Sequence, residues 1–221
     1  SNLVETPSTG SLLTLSKLLL DGIDEIPISQ LDYAIPVLIQ LLFNDAHTNT
    51  HTNVLKCLMH CVPRMPSALI AHLDEYISSL SRLSEVPQLR TTVIQSLTAI
   101  LEVHCAFLEE HSTAIVRFMV HSTVDNLDAC DYWWTFTNLE IVGDDMKRAI
   151  QHSLPELVPI LLANMKYDES QQVELVTDMH DELPAIYSKD DYDTEWNVRK
   201  CSAAGLDGLA VVYGDTVLKS L

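Results

Sequence analysis

Apolar residues recur at three- and four-residue spacing along most of the chain, the period of a helix that buries one face. After a polar opening the pattern begins at Leu12–Leu20 and returns over Leu31–Phe43, where Pro36 should kink the helix it interrupts. His72–Leu83 and Leu108–Thr123 predict helices of the same kind. Each of the three is followed by a second periodic stretch: Thr50–Cys61, Pro87–Val103 and Asn126–Ile141. Ser153 and Glu156 have capping-box spacing and predict a helix start before the run Leu154–Met165. Thr194–Tyr213 reads as one amphipathic helix. Trp196, Lys200, Ala203, Asp207 and Ala210 share a face of it, while Val198, Cys201, Leu209 and Val212 turn elsewhere and suit a core. The first face is shallow, two alanines beside one fixed acceptor, so the backbone of a partner could approach closely.

The helices repeat. Ile35-Pro36-Val37-Leu38 matches Val158-Pro159-Ile160-Leu161, and Pro36 and Pro159 lie 123 residues apart, three units of 41. Leu89-Arg90-x-x-Val93 recurs as Val198-Arg199-x-x-Ser202, offset by two units plus 27 residues. A period near 40 with two helices per unit predicts an all-α, HEAT-repeat α-solenoid, a superhelical array of antiparallel helix pairs. The predicted units are a partial repeat over 1–30, repeats over 31–71, 72–107, 108–144 and 145–213, and the start of another over 214–221. The ends lack capping elements, which predicts a piece of a longer protein.

The extra residues fall in the last full unit, as an insertion over 168–194. Asp168, Glu169, Glu174, Asp178, Asp181, Glu182, Asp190, Asp191 and Asp193, followed by Glu195, are accompanied by one cation, Lys189. So charged a stretch cannot bury enough apolar surface to fold alone, and it exceeds an ordinary helix–helix connection. Val173, Leu175, Val176, Met179, Leu183, Ile186 and Tyr187 interrupt the charges. The mixture fits an acidic arm that docks on a basic surface.

Charge narrows the functions. A net charge of −18 argues against direct nucleic-acid binding, which needs a basic footprint, and permits a basic protein partner. The longest uninterrupted leucine run, Leu18–Leu20, is too short to insert in a membrane, and no secretory signal pattern is present. Cys57, Cys61, Cys105, Cys130 and Cys201 have no C-x-x-C spacing and read as free thiols in helical cores of an intracellular protein. His47-x-x-x-His51 lacks a Glu or Cys partner, and Cys57 and Cys61 belong to the core pattern, so no metal site is expected. Glu109, Glu110 and His111 read as favourable charges at a helix start. Of Trp133 and Trp134, adjacent on a helix, one should be core and the other a contact to a neighbouring repeat. No P-loop, dinucleotide fingerprint or nucleophile elbow is present. Neither an enzymatic activity nor a cofactor is expected.

Particular residues carry a family resemblance. Ala68–Ile77, Cys130-Asp131-Tyr132-Trp133, Leu154-Pro155-Glu156-Leu157-Val158-Pro159, Met165-Lys166-Tyr167 and Glu195-Trp196-Asn197-Val198-Arg199-Lys200-Cys201-Ser202-Ala203-Ala204 occur in one order. In these the chain resembles the transportin branch of the karyopherin-β nuclear import receptors, in the middle of their HEAT array. The resemblance implies a shuttling receptor of cytoplasm and nucleus. Its implied partners are the GTPase Ran in its GTP form, cargo proteins with basic Pro-Tyr nuclear localisation signals, and nucleoporins. It implies that Asp168–Thr194 couples Ran binding to cargo release. It also implies that Ala203 and Ala204 floor a pocket for the Pro-Tyr end of the signal, where Asp207 accepts the tyrosine hydroxyl. Gly205 stands where that family has an alanine. A HEAT scaffold for protein complexes, of the phosphatase-scaffold kind, is the alternative; a long acidic insertion within one repeat argues against it.

Overall fold

The computed structural model describes residues 8–44, 47–124, 126–166 and 196–220. Among these every regular element is helical. The helices are α1 (Thr9–Gly22), α2 (Ile28–Phe43), α3 (Thr48–Cys61), α4 (Ser67–Ala71), α5 (Leu73–Leu83), α6 (Arg90–His104), α7 (Ser112–Ser122), α8 (Leu127–Thr137), α9 (Asp144–Asn164), α10 (Val198–Tyr213) and α11 (Asp215–Leu218). They fall into two compact units. One holds the residues up to Phe118 with Leu139–Lys147; the other holds Met119–Asn138 and the chain from Arg148 onward.

In the first unit α3 packs on both α1 and α2, and α6 packs on α3 and α5. Buried residues follow the helical stripe, as in Leu31, Ile35, Leu38, Ile39 and Leu42 of α2 and Val54, Leu55, Leu58 and Cys61 of α3. Pro36 sits in the third turn of α2 on the half-exposed side, away from that stripe.

Side chains tie each helix to its successor in the same layer. Thr9 and Thr50 hydroxyls meet at 3.4 Å, Asn53 donates to the Thr9 carbonyl, and the Cys57 thiol donates to the Leu12 carbonyl. Arg64 then reaches the carbonyls of Ile23 and Ile26 just beyond α1. The order of these contacts makes α1 and α3 parallel. The other layer repeats the device. Asp32 of α2 accepts from Ala68 N at 2.8 Å and from the Ser67 hydroxyl at 3.0 Å, at the start of α4. Arg82 of α5 donates to the Leu42 carbonyl and lies over the Phe43 ring. These bonds join residues 35 to 45 apart, around the sequence period. Those of Asp32, Arg64 and Arg82 satisfy N–H groups at a helix start and carbonyls at or just beyond helix ends, groups a helix cannot pair internally, with charges whose signs suit its dipole.

Glu109 extends the pattern and corrects an expectation. It lies in the 3-10 segment Cys105–His111, and its carboxylate accepts from Asp145 N and Met146 N, both at 3.1 Å, at the start of α9. It caps a helix 36 residues later rather than its own. Ser153, expected as a cap, lies inside α9. Its hydroxyl returns to the Ala149 carbonyl, because α9 already begins at Asp144 under the Glu109 cap. Thr137 ends α8 short of the expected Ile141, with Asn138 bonding back to Trp134 and Phe136 carbonyl groups nearby.

Within the helical run Pro87–Ser122 an 18-residue window reaches a mean hydropathy of 1.4, enough by length and composition to cross a membrane, but half of that window is buried within the protein, as in a core helix. The 3-10 segment Cys105–His111 divides it.

In the second unit α10 lies against α8. Trp133 is fully buried and donates its indole N–H to the Thr123 hydroxyl at 2.8 Å, while the Asn164 amide caps the Thr123 carbonyl at 2.7 Å.

Candidate peptide-binding face

Helix α10 is defined at both ends by its sequence. The Asn197 side chain accepts from Lys200 N at 3.0 Å, an N-cap, and Gly214, at φ 50° and ψ −124°, takes a backbone conformation open chiefly to glycine that stops the helix. One side of α10 is committed to packing. Cys201, Ser202, Gly205 and Leu209 are buried, with Cys201 beside Asp131 and the Ser202 hydroxyl 3.3 Å from the Cys130 sulfur.

Two glycines bring the helix backbones together. A β-carbon on Gly205 would lie 3.4 Å from Trp133 Cβ, an ordinary contact. One on Gly208 would lie 2.5 Å from Thr137 Cβ, which no packing tolerates. Val212, expected in the core, is 43% exposed. Cys130 and Ser202 fix the register of the two helices, so Val212 comes level with a point beyond the last residue of α8. Tyr213 still reaches back to stack on Phe136, with ring centroids 6.5 Å apart.

The opposite side of α10 faces outward. Ala203 and Ala204 are half-buried, Asp207 and Ala210 are exposed, and Lys200 is half-buried. Lys200, Ala203, Asp207 and Ala210 share this side of α10, whereas Trp196, expected on it, lies before the N-cap and meets Trp134 of α8 instead. Asp168, Glu169, Glu174, Asp178, Asp181, Glu182, Asp190, Asp191 and Asp193 lie outside the described residues.

An aromatic patch adjoins the start of this face. Trp134 and Trp196 are 38% and 44% exposed, with ring centroids 6.4 Å apart and planes inclined at 55°. The expected division of the tryptophan pair holds: Trp133 is core, and Trp134 meets Trp196. Asp131 hydrogen-bonds the Trp196 side chain. Burial raises its carboxyl above the usual carboxylate range, an effect the Trp196 bond opposes and the neighbouring Asp128 reinforces. Helical spacing alone gives neither Asp131 nor Trp134 a place beside this face. Their signal was the four-residue span from Cys130 to Trp134, which sets Cys130 against Ser202 and leaves Trp134 at the helix edge.

The histidines and thiols take structural positions. His51 is buried and bonds the Asn44 carbonyl through Nε2 at 3.1 Å. Cys57, Cys61, Cys130 and Cys201 are buried free thiols; Cys105 is half-buried and donates to the Ile141 carbonyl.

No family model matches the chain. Individual relatives do. Transportin-1 of Oryza sativa subsp. japonica is 30% identical over 228 residues, covering 90% of this chain and 25% of the relative. Transportin-1 of Mus musculus is 28% identical over 229 residues, covering 85% and 25% respectively. Importin subunit beta-2 of Schizosaccharomyces pombe is 24% identical over 278 aligned positions, covering 99% and 30%. The chain belongs to the transportin-type karyopherins. The transportin-type chain spans about a quarter of the length of these relatives. Its helical architecture is that of the HEAT-repeat solenoid class.

Proposed function

We propose that this transportin-type chain is part of a nuclear import receptor, that the outward face of α10 belongs to its cargo site, and that it performs no enzymatic reaction. The observation that carries the reading is the division of α10. Its glycine-bearing side is consumed by α8, while Ala203, Ala204 and Asp207 remain on a shallow side with one carboxylate. An extended peptide lies close to such a surface. A proline fits over alanines, and a tyrosine hydroxyl finds an acceptor at Asp207. The names of the relatives, transportin and importin beta-2, support transport as the setting.

In this reading basic Pro-Tyr signals are drawn to a chain of net charge −18 by its long-range field, an attraction that salt weakens. Ran in its GTP form is the second ligand, and the acidic residues of Asp168–Thr194 couple the two. If Ran and cargo favour different positions of that segment, each must weaken the other's binding. Nucleoporins are further partners of the whole receptor, which shuttles between cytoplasm and nucleus. The repeat division 31–71, 72–107, 108–144 and 145–213 belongs to the same proposal, with α2, α5, α7 and α9 as first helices and α3, α6, α8 and α10 as second helices.

The test is capture of the full-length receptor by Ran loaded with GTP or GDP, with and without a basic Pro-Tyr peptide. Selective capture by the GTP form, with peptide displaced, is expected. Absence of both nucleotide preference and peptide binding would overturn the proposal.

A further inference from the structure

Trp134 stands beside the alanine floor of the α10 face, on a different helix. The contacts of Cys130 with Ser202, Trp133 with Gly205 and Thr137 with Gly208 ascend together, so α8 and α10 run parallel. This register sets the backbone of Trp134 level with Leu206. The two backbones are close there, since a β-carbon on Gly205 would lie 3.8 Å from Trp134 N. Helical side chains lean toward the N-terminus and cover the turn before their own Cα. The Trp134 indole therefore leans back to the level of Ala203 and Ala204. Gly205 marks the side of α10 that faces α8. At about 100° per residue, Ala204 lies about 100° round from it and Asp207 about 160° round in the same sense. Ala204 thus comes between the Trp134 side of the face and Asp207.

The core does not require this indole. Trp133 already fills the space between α8 and α10, while Trp134 is 38% exposed. It is braced all the same. The Trp196 ring meets it at 6.4 Å, and Trp196 is held in turn by its hydrogen bond with Asp131. A side chain already fixed in this way loses little freedom when a ligand arrives.

An open indole beside two alanines suits a flat apolar ring. Proline supplies one on a backbone that is already restricted, and aromatic-lined surfaces read proline in extended peptides. With a tyrosine hydroxyl at Asp207, on the far side of Ala204, the proline next to that tyrosine falls over Ala204 and against the indole. We propose that Trp134, braced by Trp196, is a specificity-determining wall for the proline ring of a Pro-Tyr peptide lying on α10. The inference rests on the reading of the α10 face as a cargo surface. It divides the recognition between two helices: α10 supplies the floor and the hydroxyl acceptor, and α8 supplies the selection for proline.

The experiment measures binding of a Pro-Tyr peptide and its Ala-Tyr counterpart to the full-length receptor by fluorescence anisotropy. Trp134→Leu is expected to weaken the Pro-Tyr peptide by about three- to tenfold and to leave the Ala-Tyr peptide unchanged, so that the preference for proline shrinks. Trp134→Phe, which keeps a ring, should retain most of that preference; a loss as large as that of the leucine variant overturns an aromatic wall. Asp207→Ala should weaken both peptides alike. Equal loss of the two peptides on Trp134→Leu, or no loss, overturns the wall and leaves the Asp207 reading standing. A proline-specific loss with no effect of Asp207→Ala keeps the wall and removes the hydroxyl acceptor. Failure of both peptides to bind the unaltered receptor removes both. Should Trp134→Leu lower the melting temperature, Trp134→Met supplies the same comparison.

Discussion

Gly208 and Thr137 hold α10 and α8 at a separation that leaves no room for a β-carbon on the glycine, which would lie 2.5 Å from Thr137 Cβ. Three positions earlier on the same helix, Gly205 has room for one at 3.4 Å from Trp133 Cβ. The two glycines should therefore respond oppositely to alanine. Gly208→Ala gains helix propensity of about 1 kcal/mol, but it must push the helices apart, and overpacking of this kind costs about 1–3 kcal/mol. Because Thr137 Cβ is fixed to its backbone, no rotamer change relieves it. A net loss of stability is expected. Gly205→Ala should be neutral or stabilising, by up to about 1 kcal/mol. Urea denaturation of both variants checks this, and equal changes would refute it.

Glu109 and Gly143 form a second coupled pair. The Glu109 carboxylate caps Asp145 and Met146, and a β-carbon at position 143 would overlap that carboxylate. Glu109→Ala removes the cap and should cost about 1–2 kcal/mol. Gly143→Ala should displace the cap and cost a similar amount. The double variant should lose little more than either single one, since both delete the same bonds. Additive losses in a double-mutant cycle would contradict the shared origin.

The buried thiols give the protein a defined alkaline weakness. Burial is the leading cause of the rise in each, from an ordinary 9.0 to about 12 for Cys57 and Cys201 and to about 11 for Cys61. The unfolded chain releases these protons near pH 9, whereas the folded chain keeps them. Stability is therefore complete below pH 9 and falls as pH rises toward the folded values, by up to about 1.4 kcal/mol per pH unit for each thiol. Denaturation midpoints at pH 8 and pH 10.5 should differ, and Cys57→Ala should narrow the difference. An unchanged gap in that variant would exclude Cys57 as a contributor.

On the cargo reading, Asp207→Ala in the full receptor removes a charged acceptor from a tyrosine hydroxyl. Affinity for a Pro-Tyr signal should fall about 10- to 100-fold, the worth of a hydrogen bond to a charged group. Deleting Asp168–Thr194 should leave cargo affinity intact and blunt release by Ran-GTP. Titration of each variant with labelled peptide, followed by Ran-GTP, separates the two roles.

Periodicity alone located most helices, because a buried stripe such as Leu31, Ile35, Leu38 and Leu42 writes its 3.6-residue period directly into the chain. Helix starts were less legible. Ser153 has the local appearance of a cap, but the start of α9 is set by Glu109, 36 residues earlier, and no short window contains both. Val212 failed for a related reason: its own helix continues apolar while the helix opposite stops at Thr137. The shallow face of α10 was legible, since Ala203 and Asp207 share it by spacing. The Trp134–Trp196 pair was not, because its members come from different helices and only packing brings them to 6.4 Å.

The bonds within each layer of the first unit also set a timetable for synthesis. They join residues 35 to 45 apart, so a newly made helix waits for about 40 more residues before its neighbour arrives. At about 5–20 residues per second that is roughly 2–8 seconds. Helix α8 waits longer. Cys130 meets Ser202, 72 residues on, so the apolar side of α8 stays uncovered on the nascent chain for nearly twice as long. Of the helices with a described successor in their layer, α8 is the one where a ribosome-bound chaperone has the most time to engage the chain.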